Sequence, residues 1–331
     1  MLPRQSAAQP GSVRRPVIVF VLGFGRSGTS ALTRVLSFCG AALPTGLLGA
    51  IADNTRGCFE PREAISLNEA ILRRAGRSGY DLKLRTADDG SAGAETNAAN
   101  IDKIKAYLTK MPTAPVVVIK EPKTTAISEV WFEAARKAGF EVAAVIAVRH
   151  PAECIGSVAK RARRQNYVRA SPELVSAWWL KYSLLAERDT RGVRRVFVEF
   201  PNLLEDWRRE VKRVAAALAI DLDNHDESAI ESFLAPGLRH HRQPGAAPEP
   251  FGTDWIGTTY EAMSAAARDQ PWDEAALDRV YEEYRVSERG FRIAFEDFRR
   301  YRNINWFLWP PLVKVTLEVL ARINRRKGTW T

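Results

Sequence analysis

Val17-Ile-Val-Phe-Val-Leu-Gly-Phe-Gly-Arg-Ser-Gly-Thr-Ser30 opens with six apolar residues and passes through three glycines into the hydroxyl-bearing Thr29 and Ser30. Residues 17–22 have the length and β-branched content of a buried strand, 23–28 read as a loop, and 30–38 suit a helix. In a strand, glycine loop and helix of this kind, backbone N–H groups and the positive end of the helix dipole meet at one point and can bind a phosphate. A tight turn needs fewer donors than Arg26, Ser27, Thr29 and Ser30 supply, so the spacing predicts a phosphate cradle built on Gly25, Arg26, Ser27, Gly28, Thr29 and Ser30.

Pro115–Lys120, Val142–Val148 and Arg195–Phe200 are further short apolar runs. Helix-compatible stretches at 62–74, 124–138, 172–187 and 202–219 lie among these strands, whereas 87–99, rich in Ala, Gly, Asp and Asn, is expected to be a loop. Continuous apolar strands alternating with helices predict an α/β fold, a P-loop-like parallel sheet flanked by helices on both faces. The alternation breaks after about Pro236 and a helical extension resumes at Trp272. The expected organisation is a flexible N-terminus (1–15), one α/β domain (16–300) and an amphipathic tail (301–331).

Two phosphate motifs can be weighed against the glycine loop. Gly23, Gly25 and Gly28 satisfy G-x-G-x-x-G, but a dinucleotide fold needs an acidic residue about 20 positions on, and the first one available is Asp53. Gly23, Gly28, Thr29 and Ser30 fit the P-loop pattern G-x-x-x-x-G-K-[ST], except that Thr29 stands in place of the lysine. An ATPase also needs a strand-terminal Asp for magnesium, and the run 142–148 ends instead in Arg149-His150-Pro151. The cation is displaced to Arg26 and the metal-holding acid is missing. This pattern predicts a phosphate-ester site that requires no metal.

Composition is consistent with an anionic ligand. The 331 residues include 49 Lys and Arg against 39 Asp and Glu, a formal charge of +10, which calls for an anionic partner without saying which. No nucleic-acid recognition motif or base-stacking aromatic series accompanies it, so nucleic acid is not the expected partner. Cys39, Cys58 and Cys154 have no metal or disulfide spacing and are expected to be packing thiols in a reducing compartment. The four histidines show no metal-ligand spacing either. The N-terminus has no apolar signal region and the chain no long uncharged apolar stretch, so a cytoplasmic protein is expected.

These residues resemble the sulfotransferases that use 3′-phosphoadenosine 5′-phosphosulfate (PAPS), in particular the bacterial carbohydrate-type branch. Gly25-Arg-Ser-Gly-Thr-Ser30 resembles the family's 5′-phosphosulfate loop. Arg149-His-Pro-Ala-Glu-Cys-Ile-Gly-Ser157 resembles its 3′-phosphate motif, with a serine eight positions after the arginine. Ile119-Lys-Glu-Pro-Lys-Thr124 is similar to a K-D-P-R segment, Trp179-Leu-Lys-Tyr182 to a W-L-x-Y helix, Val198–Leu204 to a Y-x-D-L-L strand end, and Gly57-Cys-Phe-Glu60 to G-[FY]-x-E. The ordered set spans about Val17 to Trp207. Phe200 stands where tyrosine is common, Glu121 and Lys123 replace Asp and Arg, and no histidine base follows Lys120.

The resemblance implies sulfuryl transfer from PAPS to a hydroxylated acceptor: a carbohydrate, a lipid-linked sugar or a small metabolite. It assigns Arg26 and Lys120 to charge at the transferred group, Arg149 and Ser157 to the 3′-phosphate, and Glu60 to general base, with Glu121 as second candidate. Arg239 and Arg242 could close over the 3′-phosphate. A P-loop small-molecule kinase, or a nucleotide-binding module without catalysis, is the alternative. The aromatic and basic segment 299–327 could lie on an anionic membrane surface or dock on the domain as a terminal helix.

Overall fold

The computed structural model describes residues 15–51, 54–84, 91–164, 171–234 and 246–288, with isolated positions 290, 315, 318, 319 and 322. The chain divides into two units, 1–280 and 281–331. In the second, 281–288 are helical; most of the amphipathic tail and the expected boundary at 300 lie outside the described residues.

The first unit is built on four parallel strands in the order β4 (Val116–Ile119), β1 (Val17–Leu22), β5 (Glu141–Val148) and β6 (Arg194–Glu199). β1 is wholly buried because it pairs with β4 on one side, Val17 opposite Val116, and with β5 on the other, Val17 opposite Glu141. Alternation then sorts its side chains. Val17, Val19 and Val21 pack with α1 (Thr29–Phe38), while Ile18, Phe20 and Leu22 face a second core that includes Trp131 and Phe132. Burial of each such side chain contributes roughly 1.5–3 kcal/mol, so both faces of the sheet need covering.

The covering elements follow in chain order. After α1 come a short antiparallel pair, β2 (Leu47–Leu48) and β3 (Glu60–Pro61), then α2 (Arg62–Arg74) and α3 (Ser91–Leu108). β4 leads through a 3₁₀ turn (Pro122–Ile127) into α4 (Ser128–Lys137). β5 leads into α5 (Pro151–Arg164) and α6 (Pro172–Arg188). After β6 come α7 (Phe200–Glu205), α8 (Trp207–Leu218), α9 (Glu227–Phe233) and α10 (Trp255–Ala267).

Three local expectations are corrected. Residues 91–99 are helix, not loop, because Ile104, Tyr107 and Leu108 continue α3 and bury against the sheet. The expected helix at 202–219 is two helices, since Asp206 leaves helical geometry and its carboxylate accepts from Arg209 N, capping α8. α10 begins at Trp255, inside the segment expected to be irregular.

Candidate active site

The glycine loop stands at the carboxyl end of the parallel sheet, where open α/β sheets bind ligands. Two glycines are obligatory there. Gly23 has φ +118° and a Cβ would lie 2.8 Å from the Ala147 carbonyl; Gly28 has φ +91° and a Cβ would overlap the Phe200 ring. Gly28 is also the N-cap of α1 and no side chain caps that end, so the first-turn amides stay directed at the loop. Between the glycines, Arg26 itself adopts φ +79°, a conformation unusual for a residue with a side chain and one that clusters at functional sites.

The glycine loop and the segment Arg149–Ser157 meet at Arg26. Its Nε donates to Ser157 Oγ at 2.9 Å, and its carbonyl accepts from Arg149 Nη1 at 3.1 Å. Arg149 also pairs with Glu153, Nε to Oε2 2.6 Å, and lies over Phe200, 4.8 Å from the ring centroid. Ser27 and Cys154 are 3.5 Å apart, a further contact between loop and α5. Burial pushes the Cys154 thiol up to about 11, which keeps it a neutral packing group.

Lys120 is buried and spends its three donors close by: Glu60 Oε1 at 2.6 Å, the Cys58 carbonyl at 2.9 Å and Ser30 Oγ at 3.1 Å. It therefore ties the last loop serine to the segment carrying Glu60. That segment bends sharply, with Phe59 at φ +55°, and β2 holds it through Leu48 opposite Glu60. Glu121, the residue after Lys120, is buried and accepts from Asn68 Nδ2, which Trp131 Nε1 in turn orients through Asn68 Oδ1 at 2.7 Å. Burial pushes the Glu121 carboxyl up, against the opposing pull of Lys123 and Asn68.

Of these groups Arg26, Glu60 and Glu121 line a cavity of about 250 Å³, together with Phe24, Tyr80 and Trp178 among others. Its outer wall is the loop 77–83. Helix α6 holds three consecutive carbonyls of that loop: Tyr182 Oη donates to Gly79 O at 2.8 Å, Trp178 Nε1 to Tyr80 O at 2.7 Å, and Lys181 Nζ to Asp81 O at 2.8 Å. Lys181 has no solvent exposure and is ion-paired to Asp81 at 2.8 Å. Asp81 is held below the usual carboxylate range: burial pushes it up, but Lys181 and Arg77 outweigh that.

No known family model matches the chain, and no curated protein matches it. Solved structures do. The chain is similar to the sulfotransferase domain of the olefin synthase of Synechococcus PCC 7002, at 20% identity and TM-score 0.43 over 78% of this chain and 98% of that one. It is similar to the sulfotransferase domain of the curacin biosynthetic pathway, at 15% identity and TM-score 0.40 over 78% and 100%. A chain from Chloroflexus aurantiacus named as a kinase candidate is similar at 16% identity and TM-score 0.34 over 62% and 100%.

Arg26, Arg149 and Ser157 are joined by one set of hydrogen bonds and Ser30, Glu60 and Lys120 by another, with Gly25 and Glu121 on the cavity wall. Arg239 and Arg242 lie outside the described residues. Sequence reasoning missed the aromatic wall of Phe24, Tyr80 and Trp178 and the Lys181–Asp81 pair. The spacing of Trp178, Lys181 and Tyr182 on one helical face was the available signal, but their partner loop lies about 100 residues away in the chain and leaves no local pattern. Among the described residues, no group of His, Cys, Asp or Glu is arranged to hold a metal ion, and no helix is long and apolar enough to cross a membrane.

Proposed function

We propose that this chain is a sulfotransferase that moves a sulfuryl group from PAPS to a hydroxyl of a carbohydrate, glycolipid or small metabolite, without a metal. The observation that carries the reading is the junction of the two phosphate motifs at Arg26, hydrogen-bonded to Ser157 and bonded through its carbonyl to Arg149, with a cation where an ATPase strand carries its acid. The donor set fits a doubly phosphorylated sulfate donor: an uncapped helix end with Ser27, Thr29 and Ser30 for the 5′-phosphate, and an arginine and serine for the 3′-phosphate.

When bound, PAPS supplies the sulfuryl group: the S–O bond to the 5′-phosphate breaks, an S–O bond to the acceptor oxygen forms, and 3′,5′-ADP leaves. Arg26 supports the negative charge that grows on the leaving phosphate, and fixed donors of this kind lower such barriers because they need no rearrangement during reaction. Glu60, held by Lys120 at the cavity wall, takes the acceptor hydroxyl proton. Lys120 orients that carboxylate and balances its charge. Tyr80 and Trp178 offer the acceptor flat apolar faces.

The test is transfer of ³⁵S from labelled PAPS into a cell extract in EDTA. Labelled products that depend on the protein and on Arg26 support the reading. Transfer from [γ-³²P]ATP that needs magnesium, with no ³⁵S product, would establish the kinase alternative instead.

A further inference from the structure

We infer that Glu153 and Phe200 are positioning residues that set the Arg149 guanidinium for a 3′-phosphate before the nucleotide arrives, and so decide how strongly this site prefers nucleotides bearing that group. This rests on the sulfotransferase reading above.

A guanidinium has five N–H donors in a rigid plane. At Arg149 the Nε–H goes to Glu153 Oε2 at 2.6 Å and one Nη1–H to the Arg26 carbonyl at 3.1 Å, while one face of the plane lies 4.8 Å from the Phe200 ring centroid. One edge, one corner and one face are therefore fixed. The terminal Nη2 makes no hydrogen bond among the described residues, and with the second Nη1 hydrogen it forms the paired edge that grips phosphate oxygens.

Both supports are themselves anchored. Glu153 lies in the first turn of α5, where a carboxylate is favoured by the helix dipole, and its amide bonds the His150 carbonyl at 3.1 Å. Phe200 is buried at the start of α7 and backs onto Gly28, whose missing Cβ is what leaves room for the ring. One phenyl ring therefore touches both the 5′-phosphate loop and the 3′-phosphate arginine. Pre-setting a long side chain removes its ordering cost from the binding step. An acidic neighbour that competed with the ligand would act in the opposite direction, so the sign of the effect decides the matter.

The experiment is isothermal titration of 3′,5′-ADP and of 5′-AMP, in EDTA, into the full chain and into E153A, E153Q and F200L, with a thermal melt of each. We expect E153A to bind 3′,5′-ADP about tenfold more weakly and 5′-AMP unchanged. E153Q keeps an acceptor for Nε and retains most of the preference, whereas F200L loses part of it. Should E153A melt too low to titrate, F200L against E153Q carries the comparison. Tighter 3′,5′-ADP binding by E153A, or full preference retained in both E153A and F200L, overturns the inference. A wild-type chain that binds 5′-AMP or ATP as well as 3′,5′-ADP overturns the functional reading first, and this inference with it.

Discussion

Arg26 Nε and Ser157 Oγ lie 2.9 Å apart, joining the loop after β1 to the helix after β5 across 131 residues of chain. A group shared by the glycine loop and the segment Arg149–Ser157 cannot be removed without affecting each. Arg26→Ala is expected to lower ³⁵S transfer by about 10²–10³, the usual effect of losing one transition-state donor. Ser157→Ala should cost less, and the double variant less than the product of the two, as measured in the same transfer assay. Independent, multiplying effects would show that the bond has no functional role.

Gly28 carries the second junction. Alanine there must adopt φ +91° and displace the Phe200 ring, so Gly28→Ala should destabilise the chain by about 1–3 kcal/mol, read as a lower urea midpoint. Phe200→Ala removes a buried ring and should destabilise the chain by itself, but the double variant should lose less than the sum of the two, because the overlap disappears while the backbone strain stays.

The two carboxylates at the cavity should separate in transfer assays. Glu60→Gln removes the proposed base and should lower transfer by about 10²–10⁴, with 3′,5′-ADP affinity nearly unchanged. Glu121→Gln keeps the Asn68 contact in neutral form and should have a much smaller effect. The reverse order would assign the base to Glu121.

Loop 77–83 depends on a buried ion pair. Lys181→Met leaves Asp81 with Arg77 and the amides of Ser78 and Lys83 and should cost about 3 kcal/mol, as expected for breaking a buried pair on one side, with faster deuterium exchange confined to 77–83. The pH dependence follows from the lowered Asp81 value. The stability that the pair contributes is fully present above the ordinary aspartate range and is lost as pH falls through Asp81's own lowered value. Wild type and Lys181→Met should therefore converge in urea midpoint only in strong acid. A difference that stays constant down to that range would show that Asp81 is not the partner that matters.

What could be read from the chain depended on whether the physical cause was local. β1 was legible because burial on both faces makes every one of its residues apolar, and the loop because Gly23 and Gly28 each meet a steric demand. The start of helix α3 is not legible locally because its glycine and asparagines favour a loop, while the buried Ile104, Tyr107 and Leu108 that hold it lie further along the chain. Lys120 was expected to meet ligand charge directly; its three donors are engaged by Glu60, Cys58 and Ser30, partners 60 to 90 residues away. The Lys181–Asp81 pair spans 100 residues and has no local trace at all.

Under the proposed function the site takes a nucleotide with phosphates at both the 5′ and 3′ positions. Isothermal titration of 3′,5′-ADP and ATP into the full chain in EDTA tests it most directly. Saturable binding of 3′,5′-ADP, weakened by Arg149→Ala, is expected, with ATP binding at least tenfold weaker, on the order of 1.4 kcal/mol. No binding of 3′,5′-ADP, or tighter binding of ATP that Arg149→Ala leaves unchanged, would contradict it.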